Sequence, residues 1–93
     1  MSVTRMSEFR ARAGQIDELR EFLLSIVPGI ASTDGCQSCQ LLHSHDDPAR
    51  FVMVEVWDSI ASHQASVKNI PPGAFAKVLE LLDGAPRGEY FHT

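Results

Sequence analysis

The chain has 93 residues, enough for one small domain. Its 44% hydrophobic and 22% charged content is ordinary globular composition, which excludes a disordered tail, a collagen-like repeat and a coiled coil. Eight Lys and Arg against twelve Asp and Glu leave a net charge of −4 with no basic cluster, which argues against nucleic-acid binding, since that rests on several phosphate contacts. No apolar run approaches the roughly 18 residues that a membrane span requires. The longest, residues 22–27, is interrupted by Ser25 and stopped by Pro28. The opening Ser2-Val3-Thr4-Arg5 lacks the charged lead and apolar stretch of an export signal, so a cytoplasmic location is expected.

Residues 3–12 alternate with Val3, Arg5, Ser7, Phe9 and Ala11 on one side and Thr4, Met6, Glu8 and Arg10 on the other. They read as a strand whose inner face is partly polar. After Gly14, the residues Ile16, Leu19, Phe22, Leu23, Ile26, Val27 and Ile30 recur at spacings of three and four, the stripe of an amphipathic helix. Asp17 and Glu18 suit its first turn, and Pro28-Gly29 is expected to end or kink it. Ser32-Thr33-Asp34-Gly35 is a loop.

Residues 36–45 and 51–57 read as two strands joined by the turn Asp46-Asp47-Pro48-Ala49 into an antiparallel hairpin. Cys36 and Cys39 form a Cys-x-x-Cys on the first of these. A closed zinc site needs four ligands and there is no second pair. Positions three apart on a regular strand point to opposite faces, so neither a disulfide nor a metal is expected there.

The last of the three strands carries Val52, Val54 and Val56 on one face and Phe51, Met53 and Trp57, interrupted by Glu55, on the other. Both faces must be covered. Asp58-Ser59 is a helix cap, with a short helix to about residue 67. Pro71-Pro72 opens a second helical piece bearing Phe75, Val78, Leu79 and Leu82, closed by Gly84 and Pro86. Residues 87–92 form a last strand.

The resulting strand, helix, strand, strand, helix, strand order, over residues 1–93 as one domain, is the α+β ferredoxin-like βαββαβ pattern with an antiparallel sheet. Both helices lie on one side of such a sheet. The row Val52, Val54, Val56 would then face water, and a second copy packed sheet to sheet is the simplest cover, so a homodimer is expected.

Several runs together carry a resemblance: Phe9-Arg10-Ala11-Arg12-Ala13-Gly14, Asp17-Glu18-Leu19, Gly35-Cys36, Asp46-Asp47-Pro48 with Arg50-Phe51, and Glu55-Val56-Trp57 followed by His63. In this order and spacing, over residues 3–68, the chain resembles the antibiotic biosynthesis monooxygenase (ABM) family. The resemblance implies a protomer whose dimer closes an α+β barrel. It also implies a cofactor-independent monooxygenase acting with dioxygen on a quinol or polycyclic phenol, in an apolar pocket between sheet and helices. A haem-degrading branch is similar in fold but relies on a first-strand asparagine, a third-strand tryptophan and a histidine in the second helical region. Trp57 matches, whereas Ser7 stands at the first-strand position and His63 lies earlier in its helix than the haem ligand would. No cofactor is therefore expected.

By the family's arrangement the face of Trp57 looks into the substrate cavity, although an ordinary core aromatic would be placed there equally well. His63, a turn into its helix, can take a phenolic proton near neutral pH, or be a half-exposed helix histidine. These two are the candidate catalytic residues. His43 and His45, followed by Asp46 and Asp47, suit a metal on paper but sit where a solvated hairpin end is expected; of the two, His43 is the candidate for the pocket. Glu55 and Arg5 interrupt apolar strands on the same face, either as a structural ion pair or with Glu55 as a tuned base. Ser7, Phe9, Leu23, Met53 and Phe75 complete the expected pocket lining. A non-catalytic dimer holding a small apolar ligand uses the same residue types, and oxygen uptake separates it from an enzyme.

Overall fold

A computed structural model describes residues 2–93, apart from the side chain of Pro72. Strands β1 (Val3–Arg10), β2 (Cys36–His43), β3 (Arg50–Trp57) and β4 (Arg87–Phe91) form one antiparallel sheet in the order β2-β3-β1-β4. Helices α1 (Ile16–Ala31), α2 (Ile60–Lys68) and α3 (Pro72–Leu81) complete the chain. This is the expected ferredoxin-like α+β fold.

Strand β3 organises the sheet because its alternation is the cleanest in the chain. Phe51, Met53, Glu55 and Trp57 are buried toward the helices, while Val52, Val54 and Val56 are half-buried on the other face. Register carries that division to β1, where Val3, Arg5, Ser7 and Phe9 stand opposite Trp57, Glu55, Met53 and Phe51. Leu19 and Leu23 of α1, Val78 and Leu81 of α3, and Leu82 pack with Phe51, Met53 and Ala11 into the core. Each such leucine or phenylalanine contributes about 1.5–3 kcal/mol on full burial. Strand β1 ends at Arg10 rather than residue 12, and Ala11 continues it only as a single bridge to Leu82.

Three expectations are corrected. Of the two expectations for Pro28, an end to helix α1 is the one corrected: the helix runs through it to Ala31. The apolar stripe continues to Ile30 and packs on the core, and the hydroxyls of Ser32 and Thr33 donate to the Gly29 carbonyl at 3.1 and 2.9 Å, which secures the last turn. Strand β2 ends at His43, so His45 belongs to the exposed turn and the two histidines do not share a strand face. Finally, Cys36 and Cys39 lie on the same face. A bulge between Cys36 and Ser38 sets Cys36 opposite Trp57 and Cys39 opposite Glu55, because one extra residue reverses the alternation. Both thiols are free; that of Cys39 lies 3.5 Å from the Met53 sulfur, and burial pushes its pKa up to about 12.

Gly35 fixes how α2 meets the sheet. Its φ of +88° suits glycine, and a Cβ there would lie 2.6 Å from the Cβ of Ser62. The Gly35 carbonyl accepts from the Asp58 N–H at 2.8 Å, and the Ser59 hydroxyl caps α2 by accepting from the Ser62 N–H at 3.1 Å. The start of β2 and the start of α2 are thus locked together, which sets the position of His63 one turn later.

Candidate active site

Between the helix-facing side of the sheet and the three helices lies a cavity of about 800 Å³, within the usual range for small-molecule sites. Eight of the nine expected site residues line it: Ser7, Phe9, Leu23, Met53, Glu55, Trp57, His63 and Phe75. Most of the wall is apolar, with Phe22, Ile26 and Ile30 of α1 and Ala74 and Val78 of α3 facing the sheet. Phe75 is 47% exposed and, with Val67 and Ile70, forms an apolar rim at the mouth.

His43 is not part of the cavity. Its ring stacks on Phe51 with centroids 4.1 Å apart and 8° between planes, and its Nε2 lies 2.6 Å from the Pro48 carbonyl. It packs the hairpin end, at the surface where turns belong.

His63, Trp57, Glu55 and Arg5 stand together in the wall. The His63 ring is buried at 9% exposure, edge-on to Trp57 on one side and to Tyr90 on the other, each centroid 5.4 Å away. Its Nδ1 makes a 2.6 Å hydrogen bond with the Tyr90 hydroxyl. Burial, and then the nearby Arg5 cation, hold the imidazole below its ordinary value, so it is neutral at pH 7. Trp57, 1% exposed, serves as core and as cavity wall at once. Its indole N–H donates to Glu55 Oε1 at 3.0 Å. Burial pushes the Glu55 carboxyl up, partly offset by that bond and by Arg5.

The expected Arg5–Glu55 ion pair does not form. The two ion pairs among the described residues are Arg10–Asp47 and Arg50–Glu8, both at the surface. Arg5 instead lays its guanidinium over the Tyr90 ring, 4.7 Å from the centroid, because β1 pairs with β4 and places Tyr90 beside it. Across the row, Glu55 Oε1 is taken by the Trp57 indole N–H instead.

Sequence reasoning missed Tyr90, which does not line the cavity but holds the histidine that does. Its signal was present in the alternation of β4, where Gly88 and Tyr90 share the face of Ser7 and Arg5. Among the described residues no group of three or more His, Cys, Asp or Glu converges as a metal site, and no helix is long and apolar enough to cross a membrane.

A family model described as antibiotic biosynthesis monooxygenase matches residues 2–77. The chain belongs to the antibiotic biosynthesis monooxygenase family. No curated protein matches it. Among solved structures, it resembles Rv0793 from Mycobacterium tuberculosis with a TM-score of 0.86 and 23% identity, covering 100% of this chain and 95% of that one. Protein SO0527 from Shewanella oneidensis gives a TM-score of 0.88 at 22% identity, with 99% and 90% covered. SnoaB, a cofactor-independent oxygenase from Streptomyces nogalater, gives 0.81 at 18% identity, with 99% and 92% covered. At these identities the likeness establishes the ABM fold.

Proposed function

We propose that this ABM protein is a cofactor-independent monooxygenase that oxidises a quinol or polycyclic phenol with dioxygen in the cavity between sheet and helices. The reading is carried by neutral His63 in the wall of a mostly apolar chamber, with its Nδ1 held by Tyr90. A substrate hydroxyl within reach of His63 gives its proton to the imidazole. The phenolate that results is electron-rich enough to pass one electron to dioxygen. The ring radical and superoxide then combine, forming a carbon–oxygen bond to a ring carbon that carries hydrogen. The resulting peroxide breaks its O–O bond as that carbon loses its hydrogen, leaving a carbonyl on the ring and hydroxide. Hydroxide takes the proton from His63 and departs as water. One oxygen atom thus stays on the substrate, the other becomes water, and the substrate supplies all the electrons.

The chain contributes three things to this sequence. Phe9, Phe22, Met53, Trp57 and Phe75 hold a flat ring and exclude water, so that the radical pair is not quenched. His63 accepts and returns the proton. Arg5 places a positive charge near the developing phenolate. We further propose that the protein works as a homodimer through the outer face of its sheet, where Met6, Leu42 and Phe91 are exposed beside the half-buried row Val52, Val54 and Val56.

The test is incubation with a panel of quinols and polycyclic phenols under isotopically labelled dioxygen. The expected product carries a single labelled oxygen, with the other label in water. Uptake no faster than in buffer across the panel contradicts the reading and leaves a ligand-binding protein in its place.

A further inference from the structure

Arg5 is an unusual residue to find inside this wall. It sits on the helix-facing side of β1 and lines the cavity with Glu55, Trp57 and His63. It enters neither ion pair among the described residues. Its Nε is buried with no hydrogen-bond partner, which is costly for a charged donor. Yet the fold makes room for it. A Cβ at Gly88 would lie 2.0 Å from the guanidinium Nη2 and 2.5 Å from its Cζ, so a side chain at that point of β4 would push the guanidinium from its present place on the Tyr90 ring. The aromatic face steadies the cation but satisfies none of its N–H donors. The one carboxylate in the row, Glu55, has an oxygen engaged by the Trp57 indole.

The guanidinium is thus seated on Tyr90 and Gly88 and enters no ion pair among the described residues. We infer that the cavity takes an aromatic acid, with its carboxylate held by the Arg5 guanidinium and its ring lying toward Trp57 and the α1 wall. A planar fork of donors matches a carboxylate better than any neutral group. Tyr90 joins this anion subsite to the catalytic one, since the ring beneath the guanidinium carries the hydroxyl bonded to His63. The assignment of a hydroxyl to His63 rests on the proposed oxygenase reading, whereas the anion subsite does not.

The test reads binding without turnover. Trp57 is the only tryptophan in the chain and lines the cavity, so quenching of its fluorescence reports occupancy. The probes are 2-naphthoate and the neutral 2-naphthamide, nearly equal in shape. Wild type is expected to bind the naphthoate about tenfold or more tightly than the amide. Arg5→Gln, checked for folding by circular dichroism, is expected to erase the preference, and Arg5→Lys to keep only part of it. If Arg5→Gln does not fold, Arg5→Lys reads the same ratio. Equal binding of the two probes by wild type, no binding of the naphthoate, a preference that survives in folded Arg5→Gln, or one left undiminished in Arg5→Lys overturns the inference. A naphthoate preference without any quinol oxidation leaves the anion subsite standing and removes the oxygenase; oxidation without the preference does the reverse.

Discussion

His63 lies between two aromatic edges with one ring nitrogen committed to Tyr90, so its protonation answers to burial and to Arg5. Because its pKa lies below the ordinary 6.5, the acid limb of kcat/KM for quinol oxidation is expected below that pH in a rate profile. Tyr90→Phe, which removes the partner of Nδ1, should slow turnover while leaving substrate affinity close to wild type. Glu55 gives a stability prediction of the opposite electrostatic sense. A carboxyl raised by burial contributes stability that is fully present below the unfolded value near 4.5 and lost as pH rises through the folded value. Glu55→Gln keeps an acceptor for the Trp57 indole and removes the titration. Its melting temperature should therefore exceed wild type at pH 7 and lose that advantage near pH 4, where each kcal/mol is worth about 4–8 °C in a chain of this size. Equal differences at both pH values would contradict the burial argument. That Arg5 and Glu55 share a row was legible from alternation alone. Which neighbour each would choose was not, because Tyr90 reaches the row only through β4 pairing and His63 only through a contact between residues 27 apart in sequence.

At the scale of elements, periodicity told the truth wherever one face met the core, and misled where a local irregularity intervened. Strand β3 was readable residue by residue because burial alternates along its whole length. The bulge at the start of β2 leaves no mark in the apolar pattern, so simple alternation puts the two cysteines on opposite faces when they share one. Pro28 does not end the helix, since Ile26, Val27 and Ile30 around it all pack on the core. Gly35 is the joint on which α2 hangs. Gly35→Ala imposes a left-handed backbone on a residue with a side chain and drives its Cβ into Ser62. It is expected to cost about 1–3 kcal/mol in urea unfolding and to lower oxidation by displacing His63. Unchanged stability would show that the contact between β2 and α2 is not what sets the helix.

Taken whole, the molecule has one well-buried face of its sheet and one poorly covered one. On the outer face, Val52, Val54, Val56, Met6 and Leu42 make an apolar field, bordered at one end by the Glu8–Arg50 and Arg10–Asp47 ion pairs. All three helices pack on the opposite side, so the two-sided apolar pattern of β3 by itself argues for a second copy. Val54→Asp should give a monomer or an insoluble chain by light scattering, because it puts an unpaired charge into the interface; a wild-type mass of one protomer at micromolar concentration would contradict the dimer. The cavity wall was largely legible in the sequence because core-facing positions and cavity-facing positions are the same positions. His43 falls outside it because strand position alone does not say where the sheet passes beyond the helices that roof the pocket. His63 is proposed as the base that makes a bound quinol reactive toward dioxygen. It is tested most directly by oxygen uptake of wild type and His63→Ala on one quinol, followed from about pH 6 to pH 9 so as to span histidine and phenol titration. A loss of about a hundredfold or more is expected near neutral pH, shrinking as the substrate ionises unaided. Uptake by His63→Ala equal to wild type across that range would contradict it.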